Sequence, residues 1–270
     1  MRKKLFVVFF CLCVMLALCA CSAQEAAPQE YVEYHVLSRY MRQPSGDVSV
    51  TEYSYDENWL PLRTETRLNG EFASAVDYVY SEDKTQLTMN YSSAIYEPYS
   101  TRQELAFNED GRIIKAAVIE NGEVTAVSEY SYDEAGREIK VLSRTEGYET
   151  VLERSYDEKG NLLCYTADTG YSVSRQDYSY DDKGRLLSIE YYQNDVLESV
   201  TKYSHEDNVR YGTVCDEDGN VQSKLMEVLD EAGNVLELER YSPSGDLQSY
   251  ICTVYSASDG SVSGKLPEDA

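Results

Sequence analysis

The sequence predicts an all-β fold: an elongated antiparallel β-meander of hairpin repeats, with a period of about 24–25 residues, in one twisted and curled sheet. Three observations predict it. A ten-residue unit, YSYDDKGRLL at 178–187, recurs as YSYDEAGREI at 130–139 and RSYDEKGNLL at 154–163, with weaker copies at 53–62, 105–114 and 227–236. Aligned on the Asp, its slots are Asp56, Ser81, Asn108, Asp133, Asp157, Asp181, Glu206, Asp230 and a degraded Ser256, in steps of 24 to 27 residues. A second turn signal lies midway between slots, and no amphipathic helical window interrupts the pattern.

Within a unit, alternation before the Asp puts both tyrosines on one face of a strand. The Asp opens a turn, because its carboxylate can accept the backbone N–H two residues on. Gly111, Gly136, Gly160, Gly184 and Gly233 follow three residues later, supplying the positive φ of a type I turn followed by a bulge. An apolar pair then restarts the chain in the opposite direction. The second signals are Gly46, Asn69-Gly70, Asn121-Gly122, Glu146-Gly147, Thr169-Gly170, Asn194-Asp195, Asp218-Gly219 and Ser244-Gly245, with Pro98 breaking the half-repeat that lacks one. Turns about every 12 residues imply strands of roughly 8 residues, or about 26 Å. Some 18 of them at ~4.8 Å would make an open, curved or partly closed sheet about 85 Å along the stack. The degenerate first and last repeats are expected to serve as caps.

The chain begins Met1-Arg2-Lys3-Lys4, followed by an apolar run from Leu5 to Ala20, too short to read as a spanning helix. Leu18-Cys19-Ala20-Cys21 resembles the lipobox of bacterial lipoproteins. That resemblance implies cleavage before Cys21, lipidation of its sulfur and stable membrane anchoring. The expected organisation is a signal peptide at 1–20 and the lipidated Cys with a short tether at 21–30. A sheet domain follows at 31–256, then a polar tail at 257–270. The expected location is a bacterial cell envelope, with the domain facing outside the cytoplasm.

Arg2, Lys3 and Lys4 are the only charges before Cys21. The mature chain therefore keeps 21 of the 24 Lys+Arg against 48 Asp+Glu, a net charge of −27. Such a chain disfavours phosphate backbones, so no nucleic-acid partner is expected. Spread along turns and strand faces, the charges resist edge-to-edge sheet pairing. Cys164, Cys215 and Cys252 remain after the signal and lipid are set aside. They allow one disulfide with a thiol left over, or none, and no CxxC metal pattern is present.

The Tyr-Asp-x-x-Gly-Arg/Asn-Leu units resemble the YD repeats of the Rhs/YD-repeat family over nearly all of residues 50–256. Family resemblance implies long, spiralling antiparallel sheets, which in large toxins form a hollow shell. None of the six prolines follows an Asp, so the family's Asp-Pro-x-Gly autoproteolysis region is absent, and toxin activity is not carried over.

No catalytic residue, cofactor or metal is expected. His205 occupies a ladder position that is Tyr in most repeats, and His35 has no Ser or Cys motif beside it. Carboxylate pairs such as Asp181-Asp182 sit at turns that recur, whereas a catalytic pair needs one special environment. Asp216-Glu217-Asp218-Gly219-Asn220 brings oxygen ligands together but lacks EF-hand spacing and reads as an Asx turn. The candidate binding or structural ladder is Tyr55, Tyr80, Phe107, Tyr132, Tyr156, Tyr180 and Tyr255. There are 25 tyrosines against one Trp. Buried, they would line a curled sheet; exposed, they would offer amphipathic rings to a surface protein or glycan. The function expected is a lipid-anchored, non-catalytic binding module. The alternatives are a structural spacer or chaperone-like partner of an exported protein and an envelope-polymer hydrolase.

Overall fold

The computed structural model describes residues 34–120, 122–257 and 261–267. The expected signal peptide, Cys21 and its tether, Asn121 and the segments 258–260 and 268–270 lie outside the described residues.

The first half of the barrel comprises β1 (Tyr34–Arg42), β2 (Val48–Tyr55), β3 (Pro61–Leu68), β4 (Glu71–Tyr80), β5 (Gln86–Ser93), β6 (Tyr99–Phe107), β7 (Ile113–Glu120), β8 (Glu123–Tyr132) and β9 (Glu138–Thr145). The second half comprises β10 (Tyr148–Tyr156), β11 (Leu162–Asp168), β12 (Val173–Tyr180), β13 (Leu186–Gln193), β14 (Val196–Glu206), β15 (Val209–Asp216), β16 (Val221–Leu229), β17 (Val235–Tyr241) and β18 (Leu247–Ala257). A two-residue β19 (Val262–Ser263) follows. Each strand pairs antiparallel with its sequence neighbours, as a meander requires.

The sheet is closed, which corrects the expectation of an open, elongated sheet. β1 pairs with β2 on one side and with β18 on the other, in a register running from Tyr34↔Ala257 to Arg42↔Tyr250. The expected stack length of about 85 Å instead runs around the barrel perpendicular to the strands, so with the 35–45° tilt typical of barrels a round one would be roughly 35 Å across. Closure removes both sheet edges, whose unpaired N–H and C=O groups would otherwise be exposed. The terminal repeats, expected to cap two ends, pair with each other. Part of the expected polar tail also joins the sheet: β19 pairs with β18 at Tyr255↔Ser263 and Ser256↔Val262, and Cys252 Sγ donates to the Lys265 carbonyl at 3.1 Å.

Strand alternation separates two walls. The inner wall carries Tyr78 opposite Met89, Tyr80 opposite Leu87 and Leu105 opposite Ala116, joined in one apolar cluster with Tyr91 and Tyr130. Leu87 is 1% exposed and Val141 0%, which a single-layer sheet achieves only on its concave side. Small hydroxyls bridge strands on the same wall: Thr51 to Thr66 at 3.0 Å and Ser128 to Ser143 at 2.8 Å. The outer wall carries directly opposed ion pairs, Arg63–Asp77 at 2.5 Å, Lys140–Glu153 at 2.8 Å and Arg144–Glu149 at 2.9 Å. The inner wall is apolar around Tyr78 and Leu87, but further round it holds two shielded ion pairs, Arg154 with Glu138 and Arg210 with Glu227 at 2.6 Å.

Candidate functional site

The barrel has two rims, one at the Asp slots and one at the second turns. At one rim the Asp slots close every even-to-odd connection. Asp181 N donates to Arg185 O at 2.9 Å and Gly184 N to Asp181 O at 2.9 Å, the expected turn followed by a register shift at Ser179/Tyr180. One carboxylate oxygen of Asp181 accepts the N–H of both Lys183 and Arg185 at 2.9 Å, and the other accepts Arg185 Nε at 2.8 Å. Asp157 repeats this with Lys159 and Asn161, and its second oxygen takes Asn161 Nδ2 at 2.8 Å. The backbone bond two residues on follows from the sequence. The bonds four residues on explain why the slot after Gly is Arg or Asn, both of which bring a side-chain N–H to the carboxylate. These bonds hold the Asp181 carboxyl below its usual range, the backbone N–H of Arg185 foremost.

Above that rim, on the inner wall, lies the aromatic ladder. Four rungs reach the carbonyl at the start of the preceding strand: Tyr55 to Val36 at 2.8 Å, Tyr132 to Ile113 at 2.7 Å, Tyr156 to Glu138 at 3.1 Å and Tyr180 to Leu162 at 2.9 Å. Tyr80 belongs to the apolar cluster of the inner wall, and Phe107 supplies a ring with no hydroxyl. Tyr255 is buried at the β1–β18 seam. Burial pushes the hydroxyls of Tyr55, Tyr80 and Tyr180 up to about 12. Apart from Phe107, which is 38% exposed, the ladder is turned inward, with its hydroxyls engaged to backbone at four rungs.

His205 Nε2 takes the same place against Leu186 O, at 2.7 Å. His35 stacks on Trp59, centroids 4.4 Å apart and planes 3° apart, with Tyr55 at 5.3 Å. The Asp216 turn, weighed above for calcium, spends its carboxylate on Asn220 and Gln222 side chains. Among the described residues no group of three or more His, Cys, Asp or Glu side chains is arranged to hold a metal. Cys164, Cys215 and Cys252 are free thiols.

The opposite rim was not singled out by the sequence reading. There an apolar residue follows nearly every connection and stands exposed: Phe72, Val124, Val173, Val196, Val221 and Leu247. Ile95, Tyr96 and Tyr171 are the most exposed, at 78%, 71% and 78%. Aligning the sequence on the second-turn Gly instead of on the Asp brings Phe72, Val124, Val221 and Leu247 into one column, two residues after it. The described chain enters β1 at Tyr34 and leaves β18 at Ala257, both at the Asp rim, so the opposite rim is the one farther from those two residues.

No protein-family profile matches the chain, and neither does any curated protein. Among solved structures, a porin-like protein from Bacteroides uniformis superposes with a TM-score of 0.39 at 11% identity, covering 84% of this chain and 96% of that one. A porin-like protein from Bacteroides vulgatus gives a TM-score of 0.36 at 12% identity, over 81% of this chain and 97% of that one. The TcdB2-TccC3 structure gives 0.27 at 10% identity, over 83% of this chain and 18% of that one. At these scores the likenesses carry nothing about function.

Proposed function

We propose that this chain is a lipid-anchored, non-catalytic binding barrel of the bacterial cell envelope, holding a surface protein or a glycan at the rim far from its tether. The observation that carries the reading is the contrast between the two ends. Both rims have hydrogen-bonded turns and half-exposed apolar residues, but the most exposed large side chains, Ile95, Tyr96 and Tyr171, all stand on the rim opposite the Asp slots. Exposed aromatic tips are the groups that stack on sugar faces or fill a partner's pocket. Attachment through Cys21 would leave that rim pointing away from the membrane. The outer wall supports anchoring rather than insertion, because opposed Arg–Asp and Lys–Glu pairs are costly against hydrocarbon. A structural spacer is the second reading, favoured by the inward-turned, backbone-bonded ladder. Binding of nucleic acid is disfavoured by the acidic surface, and hydrolysis has no assembled group to support it among the described residues.

The test is a pull-down of envelope extract with a soluble chain starting at Ser22, using extract treated with periodate or with protease. Retention lost only after periodate assigns a glycan, and retention lost only after protease assigns a protein. No retention from untreated extract overturns binding and leaves the spacer.

A further inference from the structure

We propose that the tips of the β3–β4 and β5–β6 hairpins form a docking patch for a basic amphipathic polypeptide segment, one that alternates apolar side chains with Lys or Arg. The inference rests on the reading of the barrel as a binding module and names its partner class. Leu68, Phe72, Ile95, Tyr96 and Tyr99 are all exposed on these two neighbouring tips. Soluble proteins rarely leave such a cluster bare without a use. The tips are pre-shaped: Asn69 and Gly70 both take positive φ, at 49° and 82°, the tight turn that suits a twisted hairpin. Ala94 N donates to Ala73 O at 2.9 Å, tying one tip to the other hairpin. The Tyr99 ring stacks on Tyr91, centroids 4.5 Å apart and planes 10° apart, so it presents an edge of fixed direction. A rigid aromatic costs little ordering entropy when a partner lands on it.

Charge sets the partner's sign. Glu71 and Glu97 are exposed on the same tips. The cations nearest in sequence are themselves paired: Arg67 with Glu65, Arg63 with Glu65 and Asp77, and Arg102 with Glu104. The next connection around the rim, β7–β8, adds exposed Glu123, and the one after it, β9–β10, adds exposed Glu146. An apolar patch inside an unneutralised acidic rim selects a segment that is apolar on one side and cationic on the other. A neutral sugar would use the rings but not the acidic rim, and an acidic chain would be repelled.

Fluorescence anisotropy with the chain from Ser22 and a labelled synthetic peptide alternating leucine and lysine tests the proposal. Leucine–glutamate and serine–lysine peptides serve as comparisons. The leucine–lysine peptide is expected to bind at least about tenfold tighter than either, and more weakly as salt rises. Tyr96→Ser combined with Ile95→Ser is expected to weaken it about tenfold without lowering the melting temperature, since both side chains are exposed. Glu71→Lys with Glu97→Lys should weaken it and leave the serine–lysine comparison worse still. Equal binding of all three peptides, or binding indifferent to both double variants, overturns the proposal. Failure of the peptide while envelope extract still yields a periodate- or protease-sensitive ligand overturns the partner class alone. Failure of both overturns the binding reading with it.

Discussion

His205 Nε2 lies 2.7 Å from the carbonyl oxygen of Leu186, the position that the Tyr180 hydroxyl takes at Leu162, 2.9 Å away, one repeat earlier. The imidazole can bond there only by donating from Nε2, which fixes its tautomer. A rung of the ladder is thus defined by a donor at the end of an aromatic side chain, and not by tyrosine itself. His205→Tyr is expected to keep the bond and the fold, with a melting temperature equal to or above the parent. His205→Ala leaves a strand-end carbonyl without its donor and is expected to lower stability by about 1–2 kcal/mol. Thermal denaturation of the two variants side by side decides this.

Tyr180→Phe keeps the ring and removes the hydroxyl, the state that Phe107 already has. The expected loss is about 1 kcal/mol, measured by urea denaturation. The same hydroxyls make the barrel alkali-sensitive. Their folded pKa is raised to about 12 at Tyr55, Tyr80, Tyr180 and Tyr203, burial being the first cause. A group whose folded pKa exceeds its unfolded value contributes stability below about 10, lost as pH rises through the folded value near 12. Melting temperature is expected to fall between those limits, and less steeply in Tyr180→Phe.

At the Asp rim the sign reverses. The carboxyls of Asp181, Asp157 and Asp56 are held below the ordinary range against burial, by backbone N–H groups at all three and by the Arg185 and Asn161 side chains at Asp181 and Asp157. A depressed folded pKa contributes stability above the unfolded value of about 4, lost as pH falls through the folded values. Stability is expected to be flat from neutrality down to about pH 5 and to drop below about 4. Asp157→Asn retains an acceptor for Lys159 and Asn161 N–H, as Asn108 does naturally, so its acid limb should be shallower. Circular dichroism across that pH range measures both curves.

Lys84 stands where Gly136, Gly160 and Gly184 stand in the regular repeats, and it takes φ 59°. A side chain in that left-handed region costs roughly 1–2 kcal/mol. Lys84→Gly is therefore expected to stabilise the barrel by up to about 1 kcal/mol, after the greater unfolded-chain freedom of glycine is subtracted. Trp59, at the same slot with φ 60°, is different: its ring stacks on His35, and Trp59→Gly should destabilise.

Closure itself is testable by cross-linking. Arg39 and Thr253 are Cα partners across the β1–β18 seam, at opposite ends of the chain. Arg39→Cys with Thr253→Cys, in a chain whose Cys164, Cys215 and Cys252 are replaced by Ala, should form a disulfide under mild oxidation, because paired residues meet the Cα separation such a bond needs. Faster migration on non-reducing electrophoresis reports it. An open sheet would keep the two thiols tens of ångströms apart and give none.

The repeat period, strand direction and Asp turns were all legible from residue type and spacing, because each is decided within one hairpin. The Arg/Asn slot was legible as a pattern but not as chemistry, since its bond to the Asp needs the turn geometry that brings position four back onto the carboxylate. The inward direction of the ladder was not legible at all. Tyr180 fits an exposed or a buried face equally well, and only the carbonyl of Leu162 on the neighbouring strand gives its hydroxyl a partner. The apolar rim escaped because Phe72, Ile95 and Val196 look like scattered residues until the meander gathers every second connection at one end. Closure belongs to the tertiary structure alone. It arises from twist accumulated over eighteen strands and from the pairing of β1 with β18, two weak repeats far apart in sequence.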